Sequence, residues 1–195
     1  MLYTRKGDGG TTKLFGCDQK RISKSSAVAE ALGNLDEINS FLGFAKVRAG
    51  EQGLVVKSLN EPVEKLVHEI QHTLFIVQAE MAGADKTVPE AKVKRAEQII
   101  DSIEAEMPPI KSFFVSGGTE LGATFDFART IARRAERRVV TVVEEMALVS
   151  DGTEGKRVIG EHTRQFLNRL SSVLYAFARY ANFSAGVKEE SPTYE

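Results

Sequence analysis

From Val63 to Met81 the apolar residues Val63, Leu66, Ile70, Leu74, Val77 and Met81 recur in alternating steps of three and four. That spacing lays one stripe of an α-helix against a core. Four further stretches carry a helical reading. Val28, Leu32, Leu35, Ile38, Leu42 and Ala45 mark a helix from about Ser26 to Val47. Asn60, with Pro62 in the first turn, predicts the cap of the second helix. Thr87 with Glu90 predicts a capping box around Pro89 for the third, which ends before Pro108-Pro109. The fourth follows Gly117-Gly118 to about Leu148, where Asp151-Gly152-Thr153 breaks it. The fifth runs from about Glu154 or Gly160 to Phe183 and carries Phe166, Leu167, Leu170, Val173, Leu174 and Phe177. No strand run, repeat or linker stands out. Short loops between long amphipathic helices predict an all-α fold, an antiparallel bundle of about five helices. It forms one domain over residues 1–195, divided into an N-terminal segment (1–25), the bundle (26–185) and a C-terminal tail (186–195).

Composition bounds the function classes. Acidic and basic residues nearly cancel, 27 against 26, so no global field favours nucleic acid or an anionic membrane. Any anion site must be a local concentration of charge. The single cysteine, Cys17, excludes an internal disulfide framework. No apolar run approaches the roughly 20 residues that span a bilayer. The first residues resemble neither a signal nor a transit peptide. The expectation is a cytoplasmic protein with no nucleic-acid or membrane partner.

The chemistry concentrates in Ala128 to Arg138, Ala-Arg-Thr-Ile-Ala-Arg-Arg-Ala-Glu-Arg-Arg. As a helix it puts Ala128, Ile131, Ala132, Ala135 and Val139 on a buried stripe. Arg129, Arg133, Glu136 and Arg137 fall along a neighbouring flank. Such a block reads as a solvated face or as a polyanion site at a helix seam. The preference for Arg, whose rigid fork matches phosphate, favours the second, as do the small residues that admit a close ligand. Residues 4–26 lack periodicity and are rich in Gly, Thr, Ser and Lys. They suit a flexible arm, or a segment that grips phosphate through backbone N–H groups and lysines. His68-Glu69-Ile70-Gln71-His72 matches a zinc-hydrolase pattern. Ile70, however, lies on the buried stripe, which turns both histidines away from the core, and no third ligand follows.

Four separated segments resemble the PduO-type ATP:cob(I)alamin adenosyltransferases. They are Tyr3 to Thr12, Lys24 with Glu30 to Ser40, Arg129 to Arg137, and Leu167-Asn168-Arg169-Leu170-Ser171. The chain departs from that family at Ser116, where Pro is usual, at Asp126, where His is common, and in a longer stretch between Val143 and Arg164.

The resemblance implies a homotrimer with active sites between subunits. It implies transfer of the 5′-deoxyadenosyl group of ATP to cob(I)alamin or a related corrinoid, with release of triphosphate and Mg²⁺ carried by ATP. Thr4, Arg5, Lys6, Gly7, Thr12, Lys13 and Lys24 would grip ATP from the N-terminal segment. Arg133, Arg134, Glu136, Arg137 and Asn168 would complete the nucleotide site. Asp36 and Arg129 would pair across subunits beside the corrinoid, and Phe113 would lie beneath the corrin. A reductase and a B12-dependent acceptor enzyme are the protein partners such chemistry implies. A non-catalytic, ATP-gated cobalamin carrier and a purely structural helical oligomer are the competing readings.

Overall fold

The computed structural model describes residues 3–14, 21–149 and 159–194. Cys17 and the Asp151-Gly152-Thr153 break lie outside the described residues. The elements are β1 (Thr11–Lys13), β2 (Arg21–Ser23), α1 (Ala27–Glu51), β3 (Val55–Val56), β4 (Glu61–Pro62), α2 (Val63–Ala82), α3 (Glu90–Glu106), α4 (Glu120–Val149) and α5 (Glu161–Ser184). All five expected helices are present. Around the bundle, α1 packs between α2 and α4, and α5 between α4 and α3. Ion pairs Arg48–Glu120 at 2.6 Å and Arg138–Glu30 at 3.5 Å join opposite ends of α1 and α4, so these two helices are antiparallel. Arg95 ties α3 to Glu61 and Glu69. The core holds the expected stripes, with Leu35, Leu42, Leu74, Phe125 and Phe177 shielded from solvent.

The helix starts follow local chemistry, with two departures from expectation. Ser26 caps α1, its hydroxyl accepting from Ala29 N–H at 3.3 Å. Asn60 does not cap α2. It sits in a tight turn at φ 52°. Glu61–Pro62 then pairs with Val55–Val56, so the helix waits until Val63 with Pro62 at the N-cap. The Thr87–Glu90 capping box is not formed either, since Pro89 is the N-cap and carries no side-chain bond. Thr87 packs instead against the residue that precedes α5. A Cβ on Gly160 would come 2.6 Å from its hydroxyl.

The beginning of α5 is capped from α2. Glu80, buried near the end of α2, accepts from Gly160 N–H at 2.7 Å and from the Thr163 hydroxyl. A carboxylate there meets both the orphan amides and the positive end of the helix dipole.

Two short hairpins, β1–β2 and β3–β4, add strands where none was expected. Segments of two or three residues are too short to show the alternation that marks a strand.

At the opposite end, the Tyr180 hydroxyl donates to Glu106 at 2.6 Å, and Ser58 N–H donates to the other carboxylate oxygen at 2.6 Å. Burial, then the Glu106 contact, pushes the Tyr180 phenol up to about 12. For Glu106, burial favours the neutral acid, but the Ser58 and Tyr180 bonds outweigh it and lower the pKa below its ordinary 4.5. A depressed carboxylate pKa contributes stability above the unfolded-state value and loses it as pH falls through the folded-state value. Tyr180→Phe should therefore reduce stability at neutral pH and flatten the acid limb below about pH 4.5, checked by urea melts across pH.

Candidate active-site cleft

The loop from Met107 to Thr119 joins α3 to α4 and covers one end of the groove between α4 and α5. Beneath it lies a cavity of about 340 Å³, with Arg129 and Arg133 on one wall and Tyr175 and Arg179 on the other. One turn separates Arg129 from Arg133, which brings both into the same space. The Arg129 guanidinium sits 5.8 Å from the centre of the Tyr175 ring, and its Nε lies 3.5 Å from Asp126. That Nε is buried and makes no hydrogen bond among the described residues. Arg133 is exposed.

Phe113 stands at the rim and is 79% exposed, so it is not a core residue. Phe114 turns inward instead, with the Arg179 guanidinium 4.3 Å from its ring centre. A large ring held in water beside two arginines suits a ligand with a broad apolar face and an anionic part.

The remaining expected site residues divide between locations. Arg134 faces α1, where its Nε donates to Asn34 at 2.8 Å and its Nη2 to Glu37. Arg138 follows it toward Glu30. The arginine block is therefore split over two flanks of α4, with Arg137 exposed near the block's end. Glu136 and Asn168 do meet, the amide donating at 3.1 Å. Asn168 in turn accepts from Arg169 at 2.8 Å, and Arg169 pairs with Glu97 of α3 at 2.9 Å. Asp36 is exposed on α1, and within the chain the carboxylate beside Arg129 is Asp126.

The N-terminal candidates form a folded unit at the α1 end. Thr12 and Lys13 lie on β1, which pairs with β2 so that Thr12 opposes Ile22. Thr4 Oγ1 accepts from Lys6 N–H at 3.4 Å, Arg5 takes a positive φ of 58°, and Lys24 N–H donates to Gly10 at 2.9 Å. Gly7 lies close under the Lys24 side chain, where a Cβ would come 3.2 Å from the ammonium nitrogen. The organising residue is one the sequence reading missed. Arg21 donates to the Thr11 hydroxyl at 2.8 Å, to the Thr11 carbonyl at 2.7 Å and to the Lys6 carbonyl. Since Arg138 reaches Glu30, four residues beyond the Ser26 cap, this unit and the last turns of the arginine block occupy the same end of the bundle.

His68 and His72 are exposed, with their Nε2 atoms 3.1 Å apart. Among the described residues no group of three or more His, Cys, Asp or Glu could hold a metal. No helix of the described residues is long and apolar enough to cross a membrane. Tyr175, Arg179 and Asn182 were also missed. The available signal was a set of polar groups interrupting the apolar stripe of the last helix.

Fold and cleft together define a helical-bundle protein that presents an arginine-walled cavity beside an exposed aromatic ring, an arrangement suited to a nucleotide and a large apolar co-ligand. Residues 2–181 match the family model described as Cobalamin adenosyltransferase, and the chain belongs to that family. It is similar to the corrinoid adenosyltransferase of Bacillus subtilis (strain 168), 35% identical over 191 residues, covering 95% of this chain and 89% of that protein. Corrinoid adenosyltransferase PduO of Citrobacter freundii is also 35% identical over 191 residues, covering 94% of this chain, but this chain spans only 50% of its length. Among solved structures, one similar chain is a Phe-to-His variant of a PduO-type ATP:corrinoid adenosyltransferase from Lactobacillus reuteri, complexed with cobalamin and ATP. It superposes with a TM-score of 0.82 at 28% identity, covering 100% of this chain and 97% of that one.

The division of the arginine block predicts different outcomes at adjacent positions. Arg134→Ala removes a half-exposed clamp between α4 and α1 and should cost about 1 kcal/mol or less. ATP affinity, measured by calorimetry, should stay near that of the parent protein; a large loss would return Arg134 to the nucleotide site.

Proposed function

We propose that this chain transfers the 5′-deoxyadenosyl group of ATP to cob(I)alamin or a related corrinoid, with release of triphosphate, and that the cleft between α4 and α5 is where it does so. The observation that carries the reading is the shared cavity of Arg129, Arg133 and exposed Phe113. The similar Lactobacillus reuteri protein, whose structure holds cobalamin and ATP, supports it.

Reduced cobalt is itself a strong nucleophile, so attack on the 5′ carbon leaves little covalent work for side chains. What the protein supplies is alignment and stabilisation of charge growing on the leaving triphosphate. Arg133 holds phosphate oxygens through its fork, and Lys24 and Arg137 add positive charge from the end of the bundle. Mg²⁺ travels with the triphosphate. Residues 1–25 serve as the nucleotide-gripping segment, using Thr4, Arg5, Lys6, Gly7, Thr12, Lys13 and Lys24. Glu136 and Asn168 orient the nucleotide across the α4–α5 seam. The protein works as a homotrimer in which Asp36 of one subunit approaches Arg129 of the next, and the cleft is completed between subunits. Phe113 lies against the lower corrin face and keeps water and the nucleotide-tail base from cobalt, which eases reduction to Co(I). A reductase supplies the electron, and a B12-dependent enzyme receives the product.

Anaerobic incubation with MgATP and chemically reduced cobalamin tests the reaction directly. Formation of the Co–C bond changes the visible spectrum in step with triphosphate release; no spectral change and no triphosphate would refute the activity.

Two substitutions test the residue roles. Arg133→Lys keeps the charge but loses the fork, so ATP should bind about tenfold more weakly, equivalent to about 1.4 kcal/mol. The thermal midpoint without ligand should not move. Phe113→His offers cobalt an axial ligand and should lower the rate severalfold when a mild reductant must produce Co(I). Preformed Co(I) should restore more activity to this variant than to Arg133→Lys, measured by the same spectral assay.

A further inference from the structure

The C-terminal residues fold back along the loop that carries Phe113. Val115 N–H donates to the Glu190 carbonyl at 2.8 Å, and the Ser112 and Ser191 hydroxyls meet at 2.9 Å. Beside these exposed contacts, a largely shielded ion pair lies at the root of the tail. The Glu189 carboxylate lies 2.5 Å from Arg179 Nε, with the two side chains only 14% and 8% exposed. It also accepts from the Asn182 amide at 3.1 Å. That amide donates in addition to the Gly117 carbonyl at 2.8 Å, while its oxygen accepts from Thr119 N–H and the Thr119 hydroxyl, each at 2.9 Å. Arg179 in turn packs on Phe114.

One acidic side chain thus joins α5 and the tail to the part of the loop that follows Phe113, while the Ser112–Ser191 contact ties the residue before it. The geometry leaves little slack, since a Cβ on Gly118 or Gly122 would come 2.8 Å or 2.3 Å from the Asn182 side chain. The tail then walls a second cavity of about 480 Å³, in which Ser191, Pro192 and Tyr194 face Ile110, Phe113 and Tyr175. Phe113 borders this cavity and the arginine-lined one. The ion pair and the Asn182 network hold the chain that follows the ring, through Phe114, Gly117 and Thr119, and the tail holds Ser112 before it.

We propose that Glu189 is a positioning residue for adenosyl transfer: by pairing with Arg179 and Asn182 it clasps the C-terminal tail to the Met107–Thr119 loop and sets where Phe113 meets the corrinoid. This rests on the reading of the cleft given above. Removing the carboxylate leaves Arg179 a buried charge without its counter-ion, which loosens the clasp rather than the nucleotide site. Glu189→Gln keeps an oxygen for Asn182 but no charge for Arg179, and should behave as an intermediate.

Two measurements on the full-length protein test the proposal. Hydrogen exchange at the Val115 and Thr119 amides, without ligands, reads the clasp alone. In Glu189→Ala protection there should fall at least tenfold, with exchange in the α1–α2 core unchanged. Steady-state kinetics then read its role. With a mild reductant the transfer rate should drop about tenfold or the KM for cobalamin rise by as much, while the KM for ATP stays within twofold; preformed Co(I) should restore most of the rate. Unchanged exchange at Val115 would overturn the clasp. Faster exchange with unchanged cobalamin kinetics would overturn its positioning role, as would a parallel loss for ATP and cobalamin with a lowered thermal midpoint. If the parent protein itself forms no Co–C bond, the functional reading fails, and the exchange data still decide whether Glu189 holds the tail.

Discussion

Ala128, Ala132 and Ala135 are the small members of the stripe that α4 presents to the bundle interior, alongside Phe125, Ile131 and Val139, and all are shielded from solvent. With one-carbon side chains at the three alanines α4 settles deep between α1 and α5, its neighbours on either side. Depth has a geometric result. The longer residues beside the alanines must emerge along the two seams, and the arginines sort accordingly. Arg134 and Arg138 run out along α1 and are used up by Asn34, Glu37 and Glu30. Arg129 and Arg133 emerge toward α5 and line the cleft. A bulkier core residue at any of the three alanine positions would shift α4 outward, and the cleft arginines would move with it.

The second constraint is how the cleft end of the bundle is closed. The α3–α4 connection is largely solvent-exposed and contains no regular structure, so its shape comes from the partners it meets. Phe114 supplies the inward anchor, and the two glycines at 117 and 118, at φ 130° and 93°, turn the chain onto Asn182. A loop built this way can hold one ring inward and show the next one to solvent, since adjacent side chains in extended backbone point to opposite faces.

Much of this was readable from the amino-acid order. The five stripes gave the helices because a period of 3.6 residues persists over many turns and survives local exceptions. The periodicity placed the start of the first helix near Ser26, and the cap itself is local, a bond to Ala29 three residues away. Asn60 and the Thr87–Glu90 pair look like equally good caps, but a neighbouring strand pair and a distant helix claimed them. Such competition is settled by tertiary contacts that local pattern does not encode. The same holds at the cleft. The helical spacing put Arg129 and Arg133 on one flank and left Arg134 off it; the resemblance placed Arg134 with them, whereas its partners in the chain lie 97 and 100 residues away. Arg21, Arg179 and Asn182 went unnoticed for that reason.

The space that Asn182 occupies has been vacated by two residues elsewhere in the chain. Gly118 and Gly122 have no side-chain carbon, and the Asn182 carboxamide lies where one would be. These three positions are sterically coupled. A larger residue at 122 is admissible only once 182 has shortened, and a shortened 182 gives up its grip on Thr119 and Gly117. No single substitution among the three preserves both packing and hydrogen bonding.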